Sequence, residues 1–172
     1  LEAIRSSTPA VCRKPLLDLI EKVLLTDEDT VQQHIKDFKV KFSKFDVTDI
    51  SMPRTMNNID KFIEGSGTRK GTPLHIRGAV SFNNMLERHN LTSYWETVKS
   101  GDKGKYLYLI QPNSVGGDVI SFVNGIPNEF QIDKYIDTEK MFEKIIVDPM
   151  EGILEPIGWT IEKQLTLTEF FG

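Results

Sequence analysis

The 172-residue chain carries one cysteine, Cys12, so a disulfide-stapled scaffold is excluded. Cys12 and the three histidines, His34, His75 and His89, make a poor zinc set. No apolar run approaches the ~18 residues of a membrane span. No charged stretch followed by an apolar one opens the chain, so neither a membrane protein nor a secretory signal is expected. Nucleophile-elbow G-x-S-x-G, metalloprotease H-E-x-x-H and redox C-x-x-C are all missing. There is no internal repeat and no low-complexity segment.

What is present suffices for a packed core: 39% of residues are apolar and 27% charged, with a formal net charge of −4. That charge is unevenly spread. Residues 1–50 carry 8 Lys/Arg against 9 Asp/Glu, residues 51–110 carry 9 against 5, and residues 111–172 carry 4 against 11. A weakly acidic protein can still hold a polyanion when its basic groups gather on one surface, because screening removes interactions beyond ~8–10 Å. Solvated faces explain the same bias equally well.

Periodicity predicts a helix-dominated α+β fold. Thr8 is expected to cap a first helix that begins at Pro9, with Leu16, Leu17, Ile20, Val23 and Leu24 as its apolar stripe. A second helix after Thr26-Asp27-Glu28-Asp29-Thr30 places Val31, Ile35, Phe38 and Phe42 on one face, and the two helices pair as a hairpin. Regular structure thins from Asp46 to Pro73. A third helix runs from Thr72-Pro73 to about His89 with Ile76, Ala79, Val80, Met85 and Leu86 inward. Gly101 and Gly104 then break the chain. Tyr106 to Gln111 and Val119 to Val123 read as strands joined at Asn113-Ser114-Val115-Gly116-Gly117. The last long helix is expected over Lys134 to Val147, burying Tyr135, Met141, Phe142, Ile145 and Ile146.

Few residues carry recognisable chemistry. In Glu64-Gly65-Ser66-Gly67-Thr68-Arg69-Lys70-Gly71-Thr72-Pro73 the phosphate-loop spacing G-x-x-x-x-G-K-[ST] is not met, because Lys70 precedes Gly71. A flexible loop that brings Arg69 and Lys70 to a phosphodiester and a plain surface loop both remain open. Asp27, Glu28, Asp29, Glu139 and Glu143 fall on helix faces and Asp118 stands alone, so no paired carboxylates for metal-assisted catalysis emerge. His75 has no evident orienting partner as a base. No self-contained catalytic site is legible.

The C-terminal Gln164-Leu165-Thr166-Leu167-Thr168-Glu169-Phe170-Phe171 fits Q-x-x-L-x-x-F-F. A short helical turn would set Leu167, Phe170 and Phe171 on one side as an apolar plug, with Gln164 hydrogen-bonding at the rim. The alternative is a tail folded back on its own domain. The pattern resembles the sliding-clamp-binding peptide of DNA-replication proteins.

Several segments together resemble the C-terminal thumb region of family B replicative DNA polymerases of tailed, myovirus-type bacteriophages. Arg5-Ser6-Ser7-Thr8-Pro9 looks like the R/K-S-S-T-P that follows the palm in that family. Pro53-Arg54-Thr55-Met56-Asn57-Asn58-Ile59-Asp60-Lys61 resembles N-N-I-x-K-Y, with Phe62 replacing the tyrosine. Gly71-Thr72-Pro73-Leu74-His75-Ile76-Arg77-Gly78-Ala79 is similar to P-x-H-[IV]-R-G, followed by an asparagine at Asn83 or Asn84. Phe142-Glu143-Lys144 and Asp148-Pro149-Met150-Glu151-Gly152 resemble the pieces before the clamp-binding tail. Order and spacing hold over essentially the whole chain.

The resemblance implies a thumb domain over residues 1–158, with a helical base in 1–45, a DNA-facing loop and helix in 50–90, a small β tip about 104–125 and a returning helix about 134–148. A clamp-binding tail over 159–172 follows. It implies a part of a DNA-directed DNA polymerase that grips primer–template duplex through phosphates and groove edges common to every base pair. Arg5, Arg54, Lys61, Arg69, Lys70 and Arg77 would supply charge there. Ser6, Ser7, Thr8, Asn57, Asn58, Thr72, His75 and Gly78 would supply neutral contacts. Gln164, Leu167, Phe170 and Phe171 would bind the clamp. The catalytic aspartates and their two divalent metal ions, Mg, belong in that family to the palm, which this sequence lacks. The remainder of the polymerase is therefore an implied partner, on the same or a separate chain, in the cytoplasm of an infected bacterial host. A fragment and a subunit of a split polymerase fit equally. A small clamp-binding adaptor without a role in synthesis is the competing reading, and a nucleotide-dependent enzyme resting on the glycine loop is a weaker one.

Overall fold

The computed structural model describes residues 4–163, which form six helices and five strands. The helices are α1 (Ala10–Leu25), α2 (Glu28–Phe42), α3 (Val47–Ile50), α4 (Leu74–Arg88), α5 (Thr138–Phe142) and α6 (Asp148–Leu154). The strands are β1 (Met52–Met56), β2 (Ile63–Glu64), β3 (Gly67–Thr68), β4 (Asp102–Tyr108) and β5 (Val119–Phe122). The mixture of helices with small antiparallel sheets agrees with the α+β expectation. No described helix is long and apolar enough to cross a membrane. The chain divides into unit 1 (Leu1–Ile50 and Phe142–Gly172) and unit 2 (Ser51–Met141).

Unit 1 is built on α1 and α2, which pack on each other. Asp27 caps α2 by accepting from Thr30 N at 2.8 Å. Val31, Ile35, Phe38 and Phe42 are buried as their spacing predicts, and Phe42 meets the Phe142 ring edge-on at 5.3 Å. In α1 the buried stripe is Cys12, Leu16, Leu19 and Ile20, whereas Leu17 is 43% and Leu24 81% exposed. Leu16 and Ile20 are thus inside as expected, while Leu19 takes the place expected for Leu17. Burial pushes the Cys12 thiol up to about 12, which leaves it inert at neutral pH.

The last helix departs from expectation. Lys134 lies in a 3-10 turn (Asp133–Tyr135), and Ile136 bridges to Leu109. Helix starts only at Thr138, because Asp137 caps it through Lys140 N at 2.9 Å. Tyr135 is only half-buried. The helix widens into a π-helical turn at Glu143–Val147 and continues through Pro149 to Leu154. Pro149 has no N–H to give the preceding turn, which favours that widening.

Unit 2 centres on a three-stranded antiparallel sheet of order β1-β4-β5, with α4 packed on β5. Its first strand falls where only loop was expected. Met52-Pro53-Arg54-Thr55-Met56 lacks strand alternation and contains a proline, which an edge strand tolerates. Nor does Gly104 end a segment: it lies inside β4, where a Cβ would sit 2.7 Å from Phe122 O, so glycine lets the strands approach. In α4, Ile76, Ala79, Val80, Met85 and Leu86 are buried as predicted, together with Phe82. Asn83 exchanges two bonds with the backbone of buried Val98, accepting from its N–H at 2.8 Å and donating to its carbonyl at 2.9 Å. Asn83→Ala is expected to lower stability by about 2 kcal/mol, read as a drop in urea midpoint, because the Val98 N–H is left buried and unsatisfied.

Candidate nucleic-acid interface

The opening motif lies in unit 1 and folds as a closed turn. Thr8 N donates to Arg5 O at 3.0 Å, while the Thr8 hydroxyl accepts from Arg5 N at 3.2 Å. Arg13 Nε donates to Thr8 O at 3.1 Å. Thr8 is buried and makes no helix cap: the cap position is Pro9 and α1 begins at Ala10. Pro9 adopts extended backbone there, which moves the cap one residue along the chain. Arg5 and Ser6 are exposed and Ser7 is half-buried.

Every other proposed DNA-contacting residue lies in unit 2. Arg54 is exposed on β1. Asn57 and Asn58 are exposed in the turn that follows, and Asn58 adopts the left-handed region (φ 57°) that asparagine tolerates. A 3-10 turn, Ile59–Phe62, then presents Lys61, held by Ile59 N donating to Ser100 Oγ at 2.8 Å. The β2–β3 hairpin carries the chain to Arg69, whose N–H donates to Phe62 O at 3.0 Å and whose guanidinium stacks 5.0 Å above the Phe62 ring. Asn84 Nδ2, from α4, donates to Ser66 O at 2.6 Å and ties the hairpin to the helix. Lys70 is exposed.

Three residues turn out to have internal work. Thr72 is buried and donates its hydroxyl to Arg69 O at 2.6 Å. Gly78 is buried against β5, where a Cβ would lie 2.8 Å from Ser121 N and 2.9 Å from Ile120 C. Packing of helix on strand accounts for this glycine, and burial leaves little of Thr72 or Gly78 at the surface. Arg77, half-buried, is already paired with Asp118, 2.9 Å from Nη1 to Oδ1.

That pairing sorts the cations. Among the described residues Arg54, Lys61, Arg69 and Lys70 form no ion pair. Lys99 and Lys103 are exposed and likewise form no ion pair among the described residues, and no sequence motif singles them out. Their signal was present only as the positive balance of residues 51–110. Strand β4 also supplies Tyr106 and Tyr108, whose rings meet edge-on at 6.0 Å. Tyr106 lies 6.4 Å from the His75 ring.

The glycine-rich hairpin borders a groove of about 170 Å³ with Arg77, Asn84 and Asp118, below the ~300–1,000 Å³ of small-ligand sites. Nothing there favours a nucleotide-dependent enzyme. No group of three or more His, Cys, Asp or Glu among the described residues is placed to hold a metal ion. Gln164, Leu167, Phe170 and Phe171 lie outside the described residues. The chain leading to them is anchored in unit 1: Thr160 N donates to Glu28 Oε1 at 2.7 Å, and buried Gln32 donates to Thr160 O at 2.9 Å.

No family model matches the chain. It is 27% identical over 176 residues to the DNA-directed DNA polymerase of Enterobacteria phage T4, covering 100% of this chain and 19% of that protein. It is 28% identical over 175 residues to the DNA-directed DNA polymerase of Escherichia phage RB69, covering 99% of this chain and 19% of that protein. The chain thus spans about a fifth of the length of these relatives. The similarity bears out the resemblance carried by the R-S-S-T-P, N-N-I-x-K and P-x-H-[IV]-R-G segments: along its whole length the chain is similar to the C-terminal portion of phage DNA-directed DNA polymerases.

Proposed function

We propose that this chain is the thumb-like part of a phage DNA-directed DNA polymerase, that it grips primer–template duplex without sequence preference, and that its C-terminal segment tethers the polymerase to a sliding clamp. The observation that carries the reading is the concentration in unit 2 of exposed cations that form no ion pair among the described residues, in a chain similar from end to end to such polymerases. A cation already paired has little to offer a phosphate. An unpaired one releases counterions on binding, and that release is the main source of non-specific affinity. Nucleotidyl transfer belongs, in this reading, to the palm, the remaining partner in replication. The tether raises the local concentration of polymerase on DNA without added DNA contacts.

Fluorescence anisotropy with duplexes of unrelated sequence tests the grip. Lys61→Ala is expected to weaken binding to all of them alike and to lower the salt slope by about 0.9. Arg77→Ala is expected to weaken it less, because the Arg77 charge is committed to Asp118. Equal affinity of wild type and Lys61→Ala at low salt would overturn the assignment. Phe170→Ala with Phe171→Ala should abolish retention on immobilised clamp and leave duplex affinity unchanged.

A further inference from the structure

Unit 1 carries an acidic groove that gripping a duplex does not use. One wall is helical and runs through the π-helical turn Glu143–Val147, α6 and the 3-10 turn Glu155–Ile157. Val147, Glu151, Leu154 and Glu155 follow at four-, three- and one-residue steps, so they share one side of it. The chain then reverses at Gly158 (φ 77°), and Trp159 N donates to Leu154 O at 3.0 Å, which closes the helix end. Residues 159–163 form the facing wall. Thr160 is pinned to α2, donating Oγ1 to Glu28 Oε1 at 3.0 Å and accepting from Gln32 Nε2 at 3.1 Å, and this holds the walls apart. Between them lies a groove of about 670 Å³.

Its floor is apolar and its rim acidic. Leu154 is buried, and Val147, Trp159 and Ile161 are half-buried. Glu151, Glu155 and Glu162 are exposed and form no ion pair among the described residues. The cations of residues 142–163 are engaged elsewhere. Lys144 Nζ lies 2.9 Å from Asp148 Oδ2 and 3.2 Å from Glu143 Oε1, and Lys163, which also borders the groove, lies 3.5 Å from Asp29 Oδ1. Three carboxylates without a counter-charge repel a phosphate backbone and favour a positively charged occupant. The helical wall from Val147 to Glu155 rises ~12 Å at ~1.5 Å per residue, room for about two turns of a helix laid beside it.

We propose that this groove docks a cationic amphipathic helix of a partner protein. Such a helix seats apolar side chains, recurring every three or four residues, on Val147, Leu154, Trp159 and Ile161. Its lysines or arginines meet Glu151, Glu155 and Glu162 at the rim, where charge sets encounter rate and specificity. The docking is independent of the duplex grip: it uses the other unit and charge of the opposite sign.

The test uses the full chain with Trp95→Phe, which leaves Trp159 as its one tryptophan and so makes emission report on the groove. A synthetic helical peptide with leucine on one face and lysine elsewhere should shift that emission to the blue and saturate. Glu151→Gln with Glu155→Gln should weaken the peptide roughly tenfold at about 50 mM salt, with unchanged circular dichroism. Glu129→Gln with Asp133→Asn, exposed carboxylates of unit 2, should leave its affinity unaltered. The leucine–glutamate counterpart lacks the charge and spermine lacks the apolar face, so neither should move the emission. No shift with the leucine–lysine peptide, an equal shift with either control, or full affinity after the two glutamate substitutions would overturn the proposal. So would emission that moves to the red on Phe170→Ala with Phe171→Ala before peptide is added, because the occupant would then be the chain's own C-terminal segment. No duplex enters these titrations, so their failure leaves the grip reading standing, and loss of duplex binding leaves the groove standing.

Discussion

A chain carrying Lys61→Ala, Arg69→Ala and Lys70→Ala together is expected to lose duplex affinity on the order of 10³-fold at about 50 mM salt, with the log–log salt slope falling by roughly 0.9 per cation removed. The deficit should shrink as salt rises, because counterion release contributes less at each step. These three side chains are chosen for physical reasons. All are exposed, and none forms an ion pair among the described residues. They also share a loop whose shape is set by other contacts: Arg69 N to Phe62 O at 3.0 Å and Asn84 Nδ2 to Ser66 O at 2.6 Å. Those bonds use backbone atoms and Asn84, so they persist when the charges go and only the Arg69 stack on Phe62 is lost from the loop. Unchanged far-UV circular dichroism would confirm that. A salt slope equal to wild type would place this loop outside the interface.

Gly78→Val is expected to destabilise the chain by about 3 kcal/mol or more, the upper end for overpacking a core. The α4 backbone runs so close to β5 that a Cβ at this position would lie 2.8 Å from Ser121 N and 2.9 Å from Ile120 C. These are backbone atoms of the buried strand β5, and they cannot swing aside as a side-chain end can. Either the helix lifts from the sheet or the strand leaves its register, and both outcomes uncover Ile76, Ala79 and Ile120. Because Ser121 also fixes the first turn of α4 through His75 O, duplex binding should fall with stability. Gly78→Ala removes the β-branch but keeps the close contact, so its loss should be smaller and of the same sign. Urea denaturation ranks the three proteins; a Gly78→Val midpoint at or above wild type would refute the packing argument.

The two predictions differ in how far residue patterns alone could reach them. Helices α2 and α4 were legible because burial at three- and four-residue spacing is a local property: Val31, Ile35, Phe38 and Phe42, and Ile76, Ala79, Val80, Met85 and Leu86, are all inside. In α1 the same logic held for Leu16 and Ile20 but not for Leu17 and Leu24, which are as apolar as Leu19 and are separated from it only by packing in unit 1. Strand β1 was not legible at all. Its pairing with β4 spans some fifty residues, and Met52-Pro53-Arg54-Thr55-Met56 carries no period-2 signal because an edge strand need not bury every second side chain. Gly104 misled for a related reason: glycine at a turn and glycine at a close strand contact look alike along the chain.

The candidate interface divides in the same way. The amino-acid order by itself established a positive middle third, the three motif segments that resemble phage polymerases, and the supply of Arg54, Lys61, Arg69, Lys70 and Arg77. Only the tertiary structure decided which of these charges is available. Arg77 meets Asp118, 41 residues away, while Arg54 finds Gly104 across the strand and keeps its charge exposed. Periodicity and motif are written in near neighbours along the chain; neutralisation of one charge by another depends on which distant segments the fold brings within ~4 Å, and no local pattern records that.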